Sequence, residues 1–152
     1  MGIISVSINQ NNEKIIKLLE LFNSGLNNDA EKLALSLSID FSDNQIIWKI
    51  LGILYAQKGN ITEALKANKK AVELVPNDEV VLCNLASNLF ETGEKEEAVL
   101  IYKKAINLKK NFAEAHSNLG KTFYDLGKLH EAEEQCRLAI DIKFNFPEAH
   151  FN

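Results

Sequence analysis

Little in this sequence is suited to chemistry. It has two cysteines, two prolines, one tryptophan and, at Arg137, a single arginine. Cys83 and Cys136 lie 53 residues apart, which gives neither a disulfide framework nor a zinc site and fits a reducing, cytoplasmic setting. Seven glycines and two prolines in 152 residues argue against a loop-rich all-β fold. Positive charge is not in excess, since 17 basic against 21 acidic residues leave a net charge of −4. A nucleic-acid partner wants a basic face, so none is expected. No apolar run approaches the ~20 residues of a membrane span, so no membrane partner is expected either. The stretch Met1-Gly2-Ile3-Ile4-Ser5-Val6 lacks the basic flank and cleavage site of a secretory signal. Val6 also stands where myristoylation needs Ser or Thr.

What is present is a period of 34 residues. Trp48 to Tyr55, Leu82 to Leu89 and His116 to Phe123 are in step. So are Gly52, Ala86 and Gly120; Gly59, Gly93 and Gly127; Ala64, Ala98 and Ala132; and Ala71, Ala105 and Ala139. A period of this length means stacked two-helix units. With Gln45, Glu79 and Ala113 as position 1, positions 4, 7, 8 and 11 fall on one face of a first helix, A. The small residue at position 8 lets a second helix, B, approach, and Ala at position 20 fits the same contact. Gly at position 15 ends helix A. Helix B is expected at about 61–75, 95–109 and 129–143, and Pro76 follows the first of these as a stop.

The motif Trp48-x2-Leu51-Gly52-x2-Tyr55, with Ala64 and Pro76, resembles the tetratricopeptide repeat. The unit departs from it at position 24, where Asn68 replaces a large apolar residue; Tyr102 and Cys136 stand there in the next two units. The resemblance implies an all-α, right-handed superhelical solenoid of antiparallel helix pairs. The repeat phase divides the chain into a flexible arm at 1–10, a degenerate capping repeat at 11–44, and full repeats at 45–78, 79–112 and 113–146. In the capping repeat, helices are expected at about 12–24 and 28–40, with Lys14 and Lys17 at normally apolar positions because no earlier helix covers them. Residues 147–152 open a fifth unit and stop in mid-helix, which reads as a piece of a longer protein.

The face of helix A opposite its packing side would line the inner groove, which the resemblance implies binds an extended protein or peptide segment. Its residues are Ile46, Lys49, Ile50, Ile53, Asn84, Ser87, Phe90, Asn118, Lys121 and Tyr124, apolar at one end and polar at the other. Asn84, Asn118 and Asn152 share position 6. Their amides could pair with a ligand backbone whatever its side chains, although 17 asparagines make some coincidence expected. The style of Ala115-His116-Ser117-Asn118-Leu119-Gly120 is similar to the repeat arrays that precede O-linked N-acetylglucosamine transferase-like catalytic domains. The carboxylate clamp of some family members is not matched, because Ile53, Glu114 and Asn118 stand at its remaining places.

His116 and His150 repeat at a packing position, with no carboxylate or thiol at ligand spacing, so no metal and no cofactor is expected. Cys136 is expected to be buried and inert, and Cys83 to lie accessible on the groove. No catalytic constellation stands out from the repeat pattern, so the chain is read as a scaffold and not an enzyme. Two rivals remain: the substrate-recruiting region of a larger glycosyltransferase-like enzyme, and a module that forms homo-oligomers through its uncapped C-terminal end.

Overall fold

Four glycines in the left-handed region punctuate the chain: Gly25, Gly59, Gly93 and Gly127, with φ of 71°, 74°, 91° and 73°. Only glycine adopts this conformation cheaply. Each lets the next residue's N–H bond back across the helix end: Leu26 to Leu21 O, Asn60 to Tyr55 O, Glu94 to Leu89 O and Lys128 to Phe123 O. The computed structural model describes residues 2–145, with side chains placed for 12–144. Among the described residues there are eight helices and no strand: α1 (Gly2–Asn23), α2 (Asn27–Asp40), α3 (Gln45–Gln57), α4 (Ile61–Leu74), α5 (Glu79–Glu91), α6 (Lys95–Leu108), α7 (Ala113–Asp125) and α8 (Leu129–Asn145). The odd-numbered helices are of type A and the even-numbered of type B. Two of the A helices start on side-chain caps. Asn44 Oδ1 accepts from Ile46 N at 3.0 Å, and Asp78 Oδ1 accepts from Val80 N and Val81 N at 3.1 and 3.0 Å.

The chain divides into two compact units, residues 1–74 and 75–152. In unit 1, α3 packs on α4 and α2 on α3 around Leu18, Ala34, Leu37, Ile47, Leu51 and Leu54. Trp48 Nε1 donates to Ser42 O at 2.8 Å, fixing the turn into α3. In unit 2, α5 pairs with α6, α6 meets α7, and α7 pairs with α8. Leu82, Leu85, Leu89, Tyr102, Leu119 and Phe123 are buried there.

The small residues do what the period requires. A methyl on Gly120 would lie 2.7 Å from Cys136 Sγ and 3.2 Å from Ala132 O, and one on Gly52 would lie 2.4 Å from Asn68 Oδ1. Position 8 therefore receives the side chain at position 24, and all three alanines at position 20 are buried.

Two boundaries differ from expectation. The arm expected over 1–10 is helical from Gly2 onward as part of α1. Residues 3–23 contain neither Pro nor Gly, so nothing halts helix propagation toward the N-terminus. At the other end α8 continues to Asn145, beyond the expected 143. Residues 147–152, with His150 and Asn152, lie outside the described residues. Lys14 and Lys17 are both exposed. Lys17 pairs with Glu20 at 3.4 Å, and the Lys14 ammonium lies 6.0 Å from the Phe41 ring centre.

Candidate functional site: the A-helix face of unit 2

The best-furnished surface among the predicted residues belongs to α5 and α7. Asn84, Ser87 and Phe90 follow one another at helical spacing on α5, all half-buried. On α7, Asn118 is half-buried while Lys121 and Tyr124 are exposed. Ser87 Oγ and the Tyr102 hydroxyl share a hydrogen bond of 2.8 Å. That bond ties the floor of the face to α6, and burial pushes the Tyr102 phenol well above its ordinary range. The Lys121 ammonium stands 4.5 Å from the Phe90 ring centre and 3.8 Å from Glu91 Oε1. Lys95 reaches the same ring at 5.7 Å while pairing with Asp125 at 3.1 Å. Phe90 thus sits within reach of two cations, each held by a carboxylate, an arrangement favoured by the negative face of the ring. Ser87, Phe90, Glu91, Tyr102, Asn118 and Lys121 line a cleft of about 50 Å3.

Asn118 leans on the preceding A helix. Its side chain hydrogen-bonds the Cys83 thiol, so part of its capacity is already engaged, and position 6 faces the neighbouring helix more than open solvent. Cys83 is not the accessible thiol expected. It is 2 % exposed. Burial first, then the Glu114 carboxylate, push its pKa up to about 12 against the opposing bond from Asn118. Cys136, expected to be buried, is exposed. Position 24 is buried in α6 because α7 covers it, whereas no described helix follows α8.

In unit 1 the predicted residues divide. Ile46, Lys49 and Ile53 are half-buried. Ile50 is 3 % exposed and belongs to the core with Leu18, Ala34 and Leu37. It therefore cannot anchor a ligand as expected. Position 6 again turns toward the preceding helices, α1 and α2, and an isoleucine there is swallowed.

His116 is buried. Its Nδ1 lies 2.8 Å from Gln135 Oε1 and its Nε2 3.1 Å from Lys110 O, so both ring nitrogens serve the packing of α7. Among the described residues no three His, Cys, Asp or Glu side chains are grouped to hold a metal ion, and no helix is long and apolar enough to cross a membrane. Sequence reasoning missed Tyr102, whose hydroxyl supports Ser87. The signal was present, because positions 9 and 24 carry Ser and Tyr in the same unit.

Helix pairs joined by left-handed glycines, with small residues at every crossing, define an all-α repeat protein of the kind that generally serves as a non-catalytic interaction module. The chain belongs to the tetratricopeptide-repeat family. Residues 18–79 and 113–146 match tetratricopeptide repeat models, and 86–127 a further TPR repeat model. A crystal structure of MamA superposes with a TM-score of 0.81 at 19% identity, covering 96% of this chain and 85% of that one. A MamA RS-1 double mutant gives 0.80 at 15% identity, covering 90% and 77%. A mutant of the Thermobaculum terrenum O-GlcNAc transferase gives 0.68 at 26% identity, covering 74% of this chain and 22% of the transferase. No curated protein matches the sequence.

Proposed function

We propose that this protein is a protein-interaction scaffold that holds an extended peptide or partner segment against α5 and α7. The observation that carries the reading is the pairing of side chains able to recognise a backbone, Asn84 and Asn118, with an aromatic–cation cluster, Phe90 and Lys121, on neighbouring A helices. A carboxamide offers both donor and acceptor, so it can grip main chain of any sequence. Phe90 supplies an apolar contact, and Tyr124 with Lys121 extends the surface.

The test is selection from a displayed peptide library, followed by affinity measurement on the selected peptide. The double variant Asn84→Ala with Asn118→Ala should weaken binding roughly tenfold, about 1.4 kcal/mol. Phe90→Glu should abolish it. Unchanged affinity in both variants overturns the reading. The likeness to the O-GlcNAc transferase structure favours a second reading, in which this region recruits substrate for a larger enzyme. A gene with further repeats and no catalytic domain would count against that.

A further inference from the structure

Each B helix turns one face to solvent, and on α2 that face carries different chemistry. Positions 25 and 29 of the repeat are exposed on all four B helices. On α4 they hold Lys69 and Glu73, on α6 Lys103 and Asn107, and on α8 Arg137 and Asp141. On α2 they hold Leu35 and Ile39, which are 42 % and 83 % exposed. The exposure therefore belongs to the repeat position and not to the place of α2 in the chain. What is particular to α2 is an aliphatic pair one turn apart where the other B helices carry charged or polar groups, and leaving it in water forgoes the gain of burial.

The charges beside that pair are unmatched as well. On α4 and α8, outer cations are paired within the helix: Lys66 with Glu63 at 2.6 Å, Lys70 with Glu73 at 3.0 Å and Arg137 with Glu133 at 2.7 Å. On α2, Lys32 precedes Leu35 by about one turn, and Asp40 and Asp43 follow Ile39. All three are exposed, and none has an ion pair among the described residues. Asp40 ends a helix that has no basic residue in its last turn, where the macrodipole favours a cation.

We infer that this face pairs with the same face of a second copy, with α2 antiparallel to α2 across a two-fold axis level with residue 37. A two-fold contact must be self-complementary, residue i meeting j and j meeting i. Leu35 and Ile39 lie at equal distances along the sequence on either side of that level, so Leu35 of one copy faces Ile39 of the other. The same operation carries Lys32 to the level of residue 42 of the other copy, between Asp40 and Asp43. Each helix C-terminus then gains the cation it lacks. A parallel pairing would set Lys32 against Lys32. An anionic lipid surface would meet Asp40 and Asp43, which it repels. One helix against one helix falls short of the ~1,200 Å2 buried in stable complexes, so the pairing is weak and forms at high local concentration. It uses unit 1 alone and no residue of the α5 and α7 face.

The test is sedimentation equilibrium of the intact protein over a range of concentrations. The mass should rise toward that of a dimer. Leu35→Lys with Ile39→Glu gives α2 the residues that α4 carries at the same exposed positions, so the fold is kept, and association should weaken at least about tenfold. Lys32→Glu should weaken it too. Adding Asp40→Lys and Asp43→Lys to that variant exchanges the charges between the two ends and should restore association. A mass that stays monomeric at about 1 mM protein, where even a millimolar Kd would show, overturns the inference. A dimer untouched by Leu35→Lys with Ile39→Glu also overturns it and places the contact on another surface. Failure of the exchanged charges to restore association overturns the antiparallel pairing.

Discussion

The two units solve position 24 differently. In unit 2, Tyr102 fills the space between A and B helices and its hydroxyl is satisfied by Ser87 at 2.8 Å. In unit 1 the same place holds Asn68, 1 % exposed, with neither Oδ1 nor Nδ2 hydrogen-bonded. The partner at position 9 is Ile53, which has nothing to offer an amide. The small residue at position 8 follows suit. Gly52 makes room for the carboxamide, while the unit with Tyr102 carries Ala86 at position 8. A buried amide without partners costs about 1–3 kcal/mol, so Asn68 is a penalty at position 24 that Tyr102 avoids, although unit 2 carries an unpaired amide nitrogen of its own at Asn88 Nδ2. The same contrast extends to the A helices. The inward positions of α3 are Lys49 and three isoleucines, one of them absorbed into the core, while those of α5 and α7 are mostly polar, with Phe90 among them, and are half-buried or exposed. One repeat geometry therefore yields a unit in which position 6 of the A helix is core and a unit in which it stays half-open.

Importing the unit 1 residue into unit 2 should break this contrast most severely. Tyr102→Asn removes a fully packed ring and leaves a cavity, and losses of this kind cost about 4 kcal/mol. Thermal unfolding should show unit 2 melting first, by tens of degrees if the units unfold separately. An unchanged melting curve would mean that Tyr102 is not the keystone its burial indicates. The reverse change should sharpen the comparison. Asn68→Leu keeps the branched shape and the number of heavy atoms and removes the unpaired amide, so unit 1 should gain about 1 kcal/mol after the tighter fit against Gly52 is offset. A loss of stability would show that Asn68 has a partner in solution.

Much of this fold was legible because the period constrains several residue types at once. Gly59, Gly93 and Gly127 can hold their left-handed conformation where few other residues could, and alanines 64, 98 and 132 sit where helices cross. The site was less legible, because exposure at an A-helix position depends on the neighbour. Position 6 is core in Ile50 and a hydrogen-bonding edge in Asn118, although the spacing is identical. Cys83 and Cys136 exchanged their expected burial for the same reason: α7 covers the first, and no described helix covers the second. The extension of α1 to Gly2 was missed because asparagines and β-branched residues are poor helix formers individually, yet none of them stops a helix already running.

The alkaline limb of stability should separate the units next. Cys83 ionises near 9.0 when unfolded but at about 12 in the fold, and Tyr102 is raised in the same sense. Both groups are neutral when protonated, so the unfolded chain releases protons first as pH rises. Stability is complete below pH 9 and falls above it, by up to about 1.4 kcal/mol per pH unit for each group. Cys83→Ala should flatten part of that fall between pH 9 and 11. The melting temperature of unit 1 should respond less to the same substitution. An equally steep limb in the variant would place the titration elsewhere.

The smallest effect expected is at Lys121. Its ion pair with Glu91 is 3.8 Å long and more than half exposed on both sides. Such pairs contribute within about 0.5 kcal/mol, and the contact with Phe90 adds a similar amount. Lys121→Gln should therefore leave the melting temperature of unit 2 almost unchanged while lowering affinity for the selected peptide severalfold, more so at low salt where the charge is less screened. That split between stability and binding distinguishes a surface kept for recognition from one kept for the fold. If Lys121→Gln instead lowers stability and spares binding, the aromatic–cation cluster is scaffolding, and unit 2 keeps its polar face for packing alone.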